Sequence, residues 1–232
     1  MTGIQVFLPC RKGSLRVPDK NTRQFASDGR SLLDIKLEQL QSTDGINSVL
    51  LSTNDEAVEQ IARRYIDMPN SKIVLDNRPD EFCGNNTTTD EVISYAATVL
   101  TGDHILWTHV TSPFLGPEGY AEVIDRYQTG IASGKYDSAM TAKRLQTFLW
   151  NEEGPQNYDP SVVAWPRTQT LQVLWEIDSG AFVAPVDIYR NRKNRIGSRP
   201  NIIELSGIAS LDVDTQTQFE LAQSIWNARE NN

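Results

Sequence analysis

The chain has 232 residues and a mass of 26.0 kDa, with 22 Lys+Arg against 30 Asp+Glu and a formal net charge of −8. A chain of this length suits one globular domain that buries about 70% of its unfolded surface and needs neither disulfides nor a structural metal. The acidic balance argues against a nucleic-acid reader, which requires a basic face, and no stretch approaches the ~18 apolar residues of a membrane span.

The first strand is predicted at 4–9, with no basic region and long apolar run before it, so export is not expected. The two cysteines, Cys10 and Cys83, are far apart and match no zinc or redox spacing. They read as reduced thiols of a cytoplasmic protein. Directly after the strand comes Pro9-Cys10-Arg11-Lys12-Gly13-Ser14-Leu15-Arg16-Val17-Pro18-Asp19-Lys20-Asn21. Residues 11–23 hold five cations, Arg11, Lys12, Arg16, Lys20 and Arg23, about four times the chain's average density. A glycine, a serine and clustered cations at the carboxyl end of a first strand suit a polyphosphate, because backbone N–H groups approach closely and Arg and Lys neutralise charge. A solvated basic loop is the alternative. Neither a Walker A nor a G-x-G-x-x-G pattern is present.

Helical periodicity follows at 31–41 through Leu32, Leu33, Ile35, Leu37 and Leu40, then a strand at 48–53 and a helix at 55–65 through Val58, Ile61 and Ala62. A strand at 72–76, a helix at 88–100, a strand at 105–110 and a helix at 117–127, opened by Pro117, continue the alternation. Such a pattern predicts an α/β fold with a doubly wound, mostly parallel Rossmann-like sheet, which binds ligands beyond the carboxyl ends of its strands. The second half is less regular: a hairpin around 139–150, a polar stretch at 151–160, a strand at 180–184, a basic run at 189–195, a strand at 202–205 and a last helix at 215–229. Residues 1–232 read as a single domain, with 138–178 as a β-rich excursion suited to a lid or to dimer contacts.

In Asp212-Val213-Asp214, alternate side chains of an extended segment share a face, so two carboxylates can converge on a hard cation such as Mg²⁺. Asp214 as a simple cap of the last helix is the alternative.

Together these segments resemble the acylneuraminate (sialic acid) cytidylyltransferases. Leu8-Pro9-Cys10-Arg11-Lys12-Gly13-Ser14 through Pro18-Asp19-Lys20-Asn21 resembles that family's P-A-R-x-G-S-x-R-x-P-x-K-N. Ser52-Thr53-Asn54-Asp55 resembles its S-T-D/N stretch, and Arg78-Pro79-Asp80-Glu81-Phe82 with Thr87-Thr88-Thr89 its nucleotide segment. His109-Val110-Thr111-Ser112-Pro113 resembles Q-P-T-S-P, and Leu211-Asp212-Val213-Asp214-Thr215 resembles I-D-I-D-T. Five matches in order, over nearly the whole chain, are far more specific than any one of them.

The resemblance implies a sheet of the nucleotide-sugar transferase type, a β-rich dimerisation excursion, a homodimer, and transfer of CMP from CTP to a hydroxyl of a sugar acid for surface glycan synthesis. It implies catalytic roles for Arg11, Lys20, Asp212 and Asp214, the last two holding Mg²⁺. Nucleotide contacts are implied for Leu8, Pro9, Cys10, Gly13, Ser14, Asn21, Arg78, Thr87, Thr89 and His109. On the acceptor side Arg167 and Gln169 fall in Trp165-Pro166-Arg167-Thr168-Gln169-Thr170-Leu171, which resembles P-R-R-Q-D-L. The family's Y-R-x-N-G-A becomes Trp175-Glu176-Ile177-Asp178-Ser179-Gly180-Ala181, with one extra residue. Glu176 stands there for an arginine, and Lys143 and Arg144 are candidates to restore positive charge. Arg190-Asn191-Arg192-Lys193 reads as a solvated helix face. An enzyme of the same fold with another acceptor, or a non-catalytic nucleotide-binding protein, are the competing readings.

Overall fold

The computed structural model describes residues 3–14 and 16–230; Leu15 of the basic loop, and Met1 and Thr2 of the N-terminal reading, lie outside them. Strand β1 (Ile4–Pro9) is buried along all but its last residue. Helix α1 (Leu32–Ser42) starts at Ser31, whose hydroxyl accepts from the Asp34 N–H while the Asp34 carboxylate accepts from the Ser31 N–H, a reciprocal capping box. Strand β2 (Ile46–Thr53), helix α2 (Glu56–Ile66, capped by Asp55) and strand β3 (Ile73–Asn77) follow. Helix α3 (Thr89–Val99) repeats the capping box with Thr88 and Glu91. Strand β4 (His104–Trp107) and helix α4 (Pro117–Ala132) complete the first half.

The second half contributes β5 (Ser138–Leu145), a two-residue pair β6 (Trp150–Asn151) and β7 (Gly154–Pro155), the long strand β8 (Leu174–Pro185), helix α5 (Val186–Arg192), β9 (Pro200–Glu204) and helix α6 (Gln216–Glu230). One seven-stranded sheet runs β3-β2-β1-β4-β8-β5-β9. Only β8 is antiparallel to its neighbours, β4 and β5. Helices α1, α2, α4 and α6 pack one face through residues such as Leu37, Val58, Tyr120 and Phe219, and α3 and α5 pack the other through Ile93 and Tyr189. The predicted mostly parallel α/β layering is thus the architecture observed. From β1 the chain winds outward to β2 and β3, then returns to β4 on the other side. The carboxyl ends of β1 and β4 therefore diverge around a crevice.

One expectation changes. The predicted hairpin at 139–150 is instead β5 lying between β8 and β9, so its partners are remote in sequence. The predicted excursion at 138–178 holds β5, β6, β7 and the start of β8; between Leu145 and Leu174 the chain leaves the sheet as an arm, whose strands among the described residues are β6 and β7. The buried Asn157 side chain staples the arm: its amide donates to Thr147 O and Gln172 O, and its carbonyl accepts from Leu149 N. Trp150, Val162, Val163 and Trp165 stand exposed on the arm, the two indoles stacked with centroids 6.4 Å apart. No helix among the described residues is long and apolar enough to cross a membrane.

Candidate active site

A cleft of about 650 Å³ opens beyond the carboxyl ends of β1 and β4. Its lining brings together Arg11, Gly13, Ser14, Lys20 and Asn21 of the first loop, Arg78, Thr87 and Thr89 before and at the start of α3, His109 after β4, and Asp212 and Asp214 before α6. Pro9 lines it too, whereas the side chains of Leu8 and Cys10 are buried behind it. Segments more than a hundred residues apart in sequence thus meet at one crevice.

The first loop is tied at several points. Cys10 N donates to Ser52 O at 2.9 Å, and Lys12 N to the Asn54 side chain at 2.9 Å. Arg11 reaches Asn85 at 3.0 Å. Gly13 has φ +75°, a left-handed conformation in which a side chain would be strained, and it exposes backbone to the cleft. The Asn21 amide donates to the Cys10 sulfur at 3.2 Å, which leaves its buried Oδ1 without a partner. Burial, with Asp55 nearby, pushes the Cys10 thiol up to about 12, so it is a neutral packing group at physiological pH.

Arg78 is 4% exposed, and its Nε and Nη2 have no hydrogen-bond partner. A buried guanidinium with orphan donors on a cleft wall is costly unless a ligand anion or acceptor completes it. The cations Arg11, Arg16, Lys20, Arg78 and Arg195 line the cleft against the carboxylates Asp212 and Asp214 alone. A protein of net charge −8 therefore carries a locally positive cleft.

Lys20 is nearly buried and donates to Val213 O at 2.6 Å and to Asp214 Oδ1 at 3.4 Å, while Arg16 meets the same oxygen at 3.0 Å. Val213 N donates to Thr111 O at 2.8 Å, so the loop after β4 fixes the strip from the other side. Val213 is wholly buried between the two cleft-facing aspartates, as an extended segment requires. Burial and the neighbouring Asp214 carboxylate raise the Asp212 pKa, and Asp212 Oδ1 is buried without a partner. A buried carboxylate oxygen without a hydrogen-bond partner fits a cation. No group of three or more His, Cys, Asp or Glu that could hold a metal occurs among the described residues. Two carboxylates suit Mg²⁺, which takes one or two from protein and fills its remaining positions with water and substrate phosphate.

The acceptor candidates are placed differently. Lys143 and Glu176 are opposite each other on β5 and β8 and pair at 3.7 Å, both exposed. Arg167 and Gln169 lie exposed on the arm, where Gln169 O accepts from Gln146. None of the four lines the cleft. Arg190, Asn191, Arg192 and Lys193 are exposed at the end of α5, as a solvated face should be.

Trp107, Ser179 and Arg195 are among the cleft residues that the sequence reading did not assign to the site. Ser179 sits in a bulge where Thr141 of β5 alone faces residues 178–181 of β8, since Met140 pairs with Phe182 and Ala142 with Ile177. Asp178 turns inward there to accept from Thr141 Oγ1 and Gly180 N, and Ser179 adopts φ +60°. The extra residue noted near Gly180 was the available signal. Arg195 lay concealed within a basic run whose other cations, Arg190, Arg192 and Lys193, are exposed.

Comparison with known proteins places these features in a family. The sequence pattern described as "Cytidylyltransferase" matches residues 6–225. The chain is 23% identical over 231 residues to an N-acylneuraminate cytidylyltransferase of Escherichia coli O18:K1:H7, covering 97% of this chain and 52% of that protein. The chain thus spans about half the length of that relative. It is also 23% identical over 182 residues to a pseudaminic acid cytidylyltransferase of Campylobacter jejuni, covering 75% of each. Among solved structures, CMP:2-keto-3-deoxy-manno-octonic acid synthetase in complex with CTP aligns over 99% of this chain and 100% of that one, with TM-score 0.67 and 16% identity. A 4-diphosphocytidyl-2C-methyl-D-erythritol synthase from Anaerococcus prevotii aligns over 100% and 97%, with TM-score 0.65 and 13% identity. The likeness to both structures is one of fold.

Proposed function

This chain belongs to the cytidylyltransferase family, and from that premise we propose that it transfers CMP from CTP to a hydroxyl of a sialic-acid-like ulosonic acid and releases pyrophosphate, in the cytoplasm, for surface glycan synthesis. The observation that carries this reading is the set of buried polar atoms without partners in one positive cleft: Asn21 Oδ1, Arg78 Nε and Nη2, and Asp212 Oδ1. They comprise an acceptor, two cationic donors and a carboxylate oxygen, which is the complement a base, a phosphate chain and its metal would satisfy.

In the proposed reaction the acceptor oxygen attacks the α-phosphorus of CTP, the bond from that phosphorus to the bridging oxygen breaks, and pyrophosphate departs with that electron pair. The hydroxyl proton is released to solvent. Alignment and charge stabilisation supply the acceleration. Arg11 and Lys20 hold the triphosphate and steady the charge that grows on the leaving pyrophosphate. The Gly13-Ser14 turn offers backbone N–H groups to phosphate oxygens. Asn21, Arg78, Thr87 and Thr89 position the nucleotide, and Asp212 and Asp214 would hold Mg²⁺. When bound, Mg²⁺ neutralises phosphate charge and makes the α-phosphorus more electrophilic.

Lys143, Arg167, Gln169 and Glu176 lie outside the cleft. Their place on or beside the arm, together with the exposed indoles of Trp150 and Trp165, supports a homodimer in which the arm covers a second copy. Pyrophosphate release measured with CTP, ATP, GTP and UTP against a panel of ulosonic acids tests the whole reading. Release confined to CTP with an acid acceptor supports it. Release with a sugar phosphate in place of an acid overturns the acceptor, and nucleotide binding without release overturns catalysis.

A further inference from the structure

Arg195 is the one cleft cation that belongs to neither the first loop nor the segment before α3. Its guanidinium lies 3.8 Å above the Phe182 ring and 5.5 Å from that of Trp107, and no carboxylate among the described residues pairs with it. Its backbone is fixed: Asn194 Oδ1 accepts from Arg195 N and Ile196 N, and Asp137 accepts from Ser198 N and Arg199 N. The side chain is thus held on the wall by aromatic stacking and a tied loop, with its hydrogen-bonding edge unpaired.

The neighbouring group is His109. Trp107 Nε1, which can only donate, gives its proton to His109 Nε2 at 3.0 Å. Neutral His109 therefore carries its own proton on Nδ1 and presents it as a donor. Burial, with Arg195 and Lys20 nearby, holds the ring down to about 3, so it stays neutral. Ser179 adds a hydroxyl from the bulge of β8. Of the two cleft carboxylates, Asp214 acts on His109 from nearby but is already shared by Arg16 and Lys20, and Asp212 is tied to Thr111.

We propose that Arg195, with His109 Nδ1–H and Ser179 Oγ–H beside it, forms the subsite that holds the carboxylate of the acceptor and so sets specificity for an acid. A carboxylate fits the guanidinium as a planar two-oxygen acceptor, and the two neutral donors take its remaining lone pairs. Glu176, standing where the resembled family has an arginine, is thereby relieved of the role: it is exposed, outside the cleft and paired with Lys143. Arg195 supplies the charge from a different element. This assignment rests on the acid-acceptor reading proposed above.

The test is steady-state kinetics of wild type, Arg195→Met and Arg195→Lys with CTP and the panel of ulosonic acids, repeated with the methyl ester of whichever acid wild type turns over. The expected result for Arg195→Met is an acceptor KM raised about tenfold to a hundredfold with the KM for CTP unchanged. Arg195→Lys should recover part of the loss, and the methyl ester should be used equally by wild type and Arg195→Met. Unchanged CTP affinity also shows that the variant is folded. An acceptor KM within twofold of wild type in Arg195→Met overturns the subsite and leaves the enzyme reading intact. A rise in the KM for CTP instead assigns Arg195 to the triphosphate and overturns it as well. Failure of wild type to use any acid, while CTP is turned over with a neutral acceptor, overturns the acceptor reading and the subsite together.

Discussion

Lys20 and Asp214 are 194 positions apart in sequence and meet at 3.4 Å, with the Lys20 ammonium also 2.6 Å from the Val213 carbonyl. One side chain of the first loop therefore places the acidic strip. Lys20→Met should lower kcat/KM by about 10²- to 10³-fold, the range seen when one preorganised charge-stabilising donor is removed. Arg16→Met, which removes a more exposed contact to Asp214, should cost much less. Equal losses from the two substitutions would place the effect in general cleft charge rather than in the geometry set by Lys20.

Asp212→Asn tests the metal assignment. The variant keeps the shape of the side chain but removes the charge of a carboxylate whose buried Oδ1 has no hydrogen-bond partner. Its activity should demand about tenfold or more Mg²⁺ for half-saturation, since a lost ligand or its support typically costs that much. Near-normal Mg²⁺-dependent turnover in Asp212→Ala would show that the ion is held elsewhere.

His109 gives the pH dependence a sign. Its pKa in the folded protein, about 3, is below the ordinary value of 6.5, so between those values the unfolded chain binds more protons than the native one. The stability it contributes is present above 6.5 and is lost as pH falls toward 3. His109→Gln, which cannot titrate, should lose less stability than wild type when urea unfolding at about pH 7 is compared with about pH 5. Parallel losses in the two proteins would show that His109 takes no part in acid unfolding.

Lys36 is entirely buried and donates to Ser112 O, Leu115 O and Tyr120 Oη at 2.9, 3.2 and 2.8 Å. Tyr120 bonds Thr108, which donates to Gly180 O. The carbonyls can only accept, so all these bonds exist together only if Lys36 supplies three protons, as an ammonium. Burial pulls its pKa well down, and the three acceptors oppose that pull. The network joins the loop beside Thr111 to the bulge beside Ser179, on two walls of the cleft. Lys36→Met, which orphans two buried carbonyls, should lower stability by about 2–4 kcal/mol in urea unfolding and reduce kcat at temperatures where the variant is folded. A variant as stable as wild type would show that the loop holds its shape without the lysine.

The arm makes a hydrodynamic prediction. Trp165→Asp puts a charge on its exposed indole patch and should convert the proposed dimer to monomer in sedimentation velocity, while leaving the fold seen by circular dichroism unchanged. A wild-type protein that sediments as a monomer at micromolar concentration would remove the dimer from the proposal.

The first half of the fold was legible in the sequence because each strand and helix announces itself locally. Ser31, Asp55, Thr88 and Pro117 mark helix starts within a residue, and the apolar run of β1 coincides with the predicted 4–9. The second half was less so, because β5 pairs with strands tens of residues away, and no local pattern names a remote partner. The charged members of the site were visible as a cation-dense loop and an aspartate pair. Arg195 was not: a cation pinned on Phe182 reads the same in sequence as the solvated Arg190 and Arg192 nearby. Ser179 was hidden for another reason, since only the bulge that unpairs residues 178–181 turns it toward the cleft.

The capture of the 212–214 strip by Lys20 and Thr111 also orders events in time. A ribosome emits the cation-rich loop before the two aspartates, which follow about 190 residues later, and at about 5–20 residues per second that is on the order of ten seconds or more of synthesis. Throughout that interval Arg16 and Lys20 lack the Asp214 carboxylate that they meet in the folded chain. An unfinished chain lacks the carboxylates on which turnover is proposed to depend. On the proposed reading, competence arrives only when the strip docks, and a partial product has no means of consuming CTP.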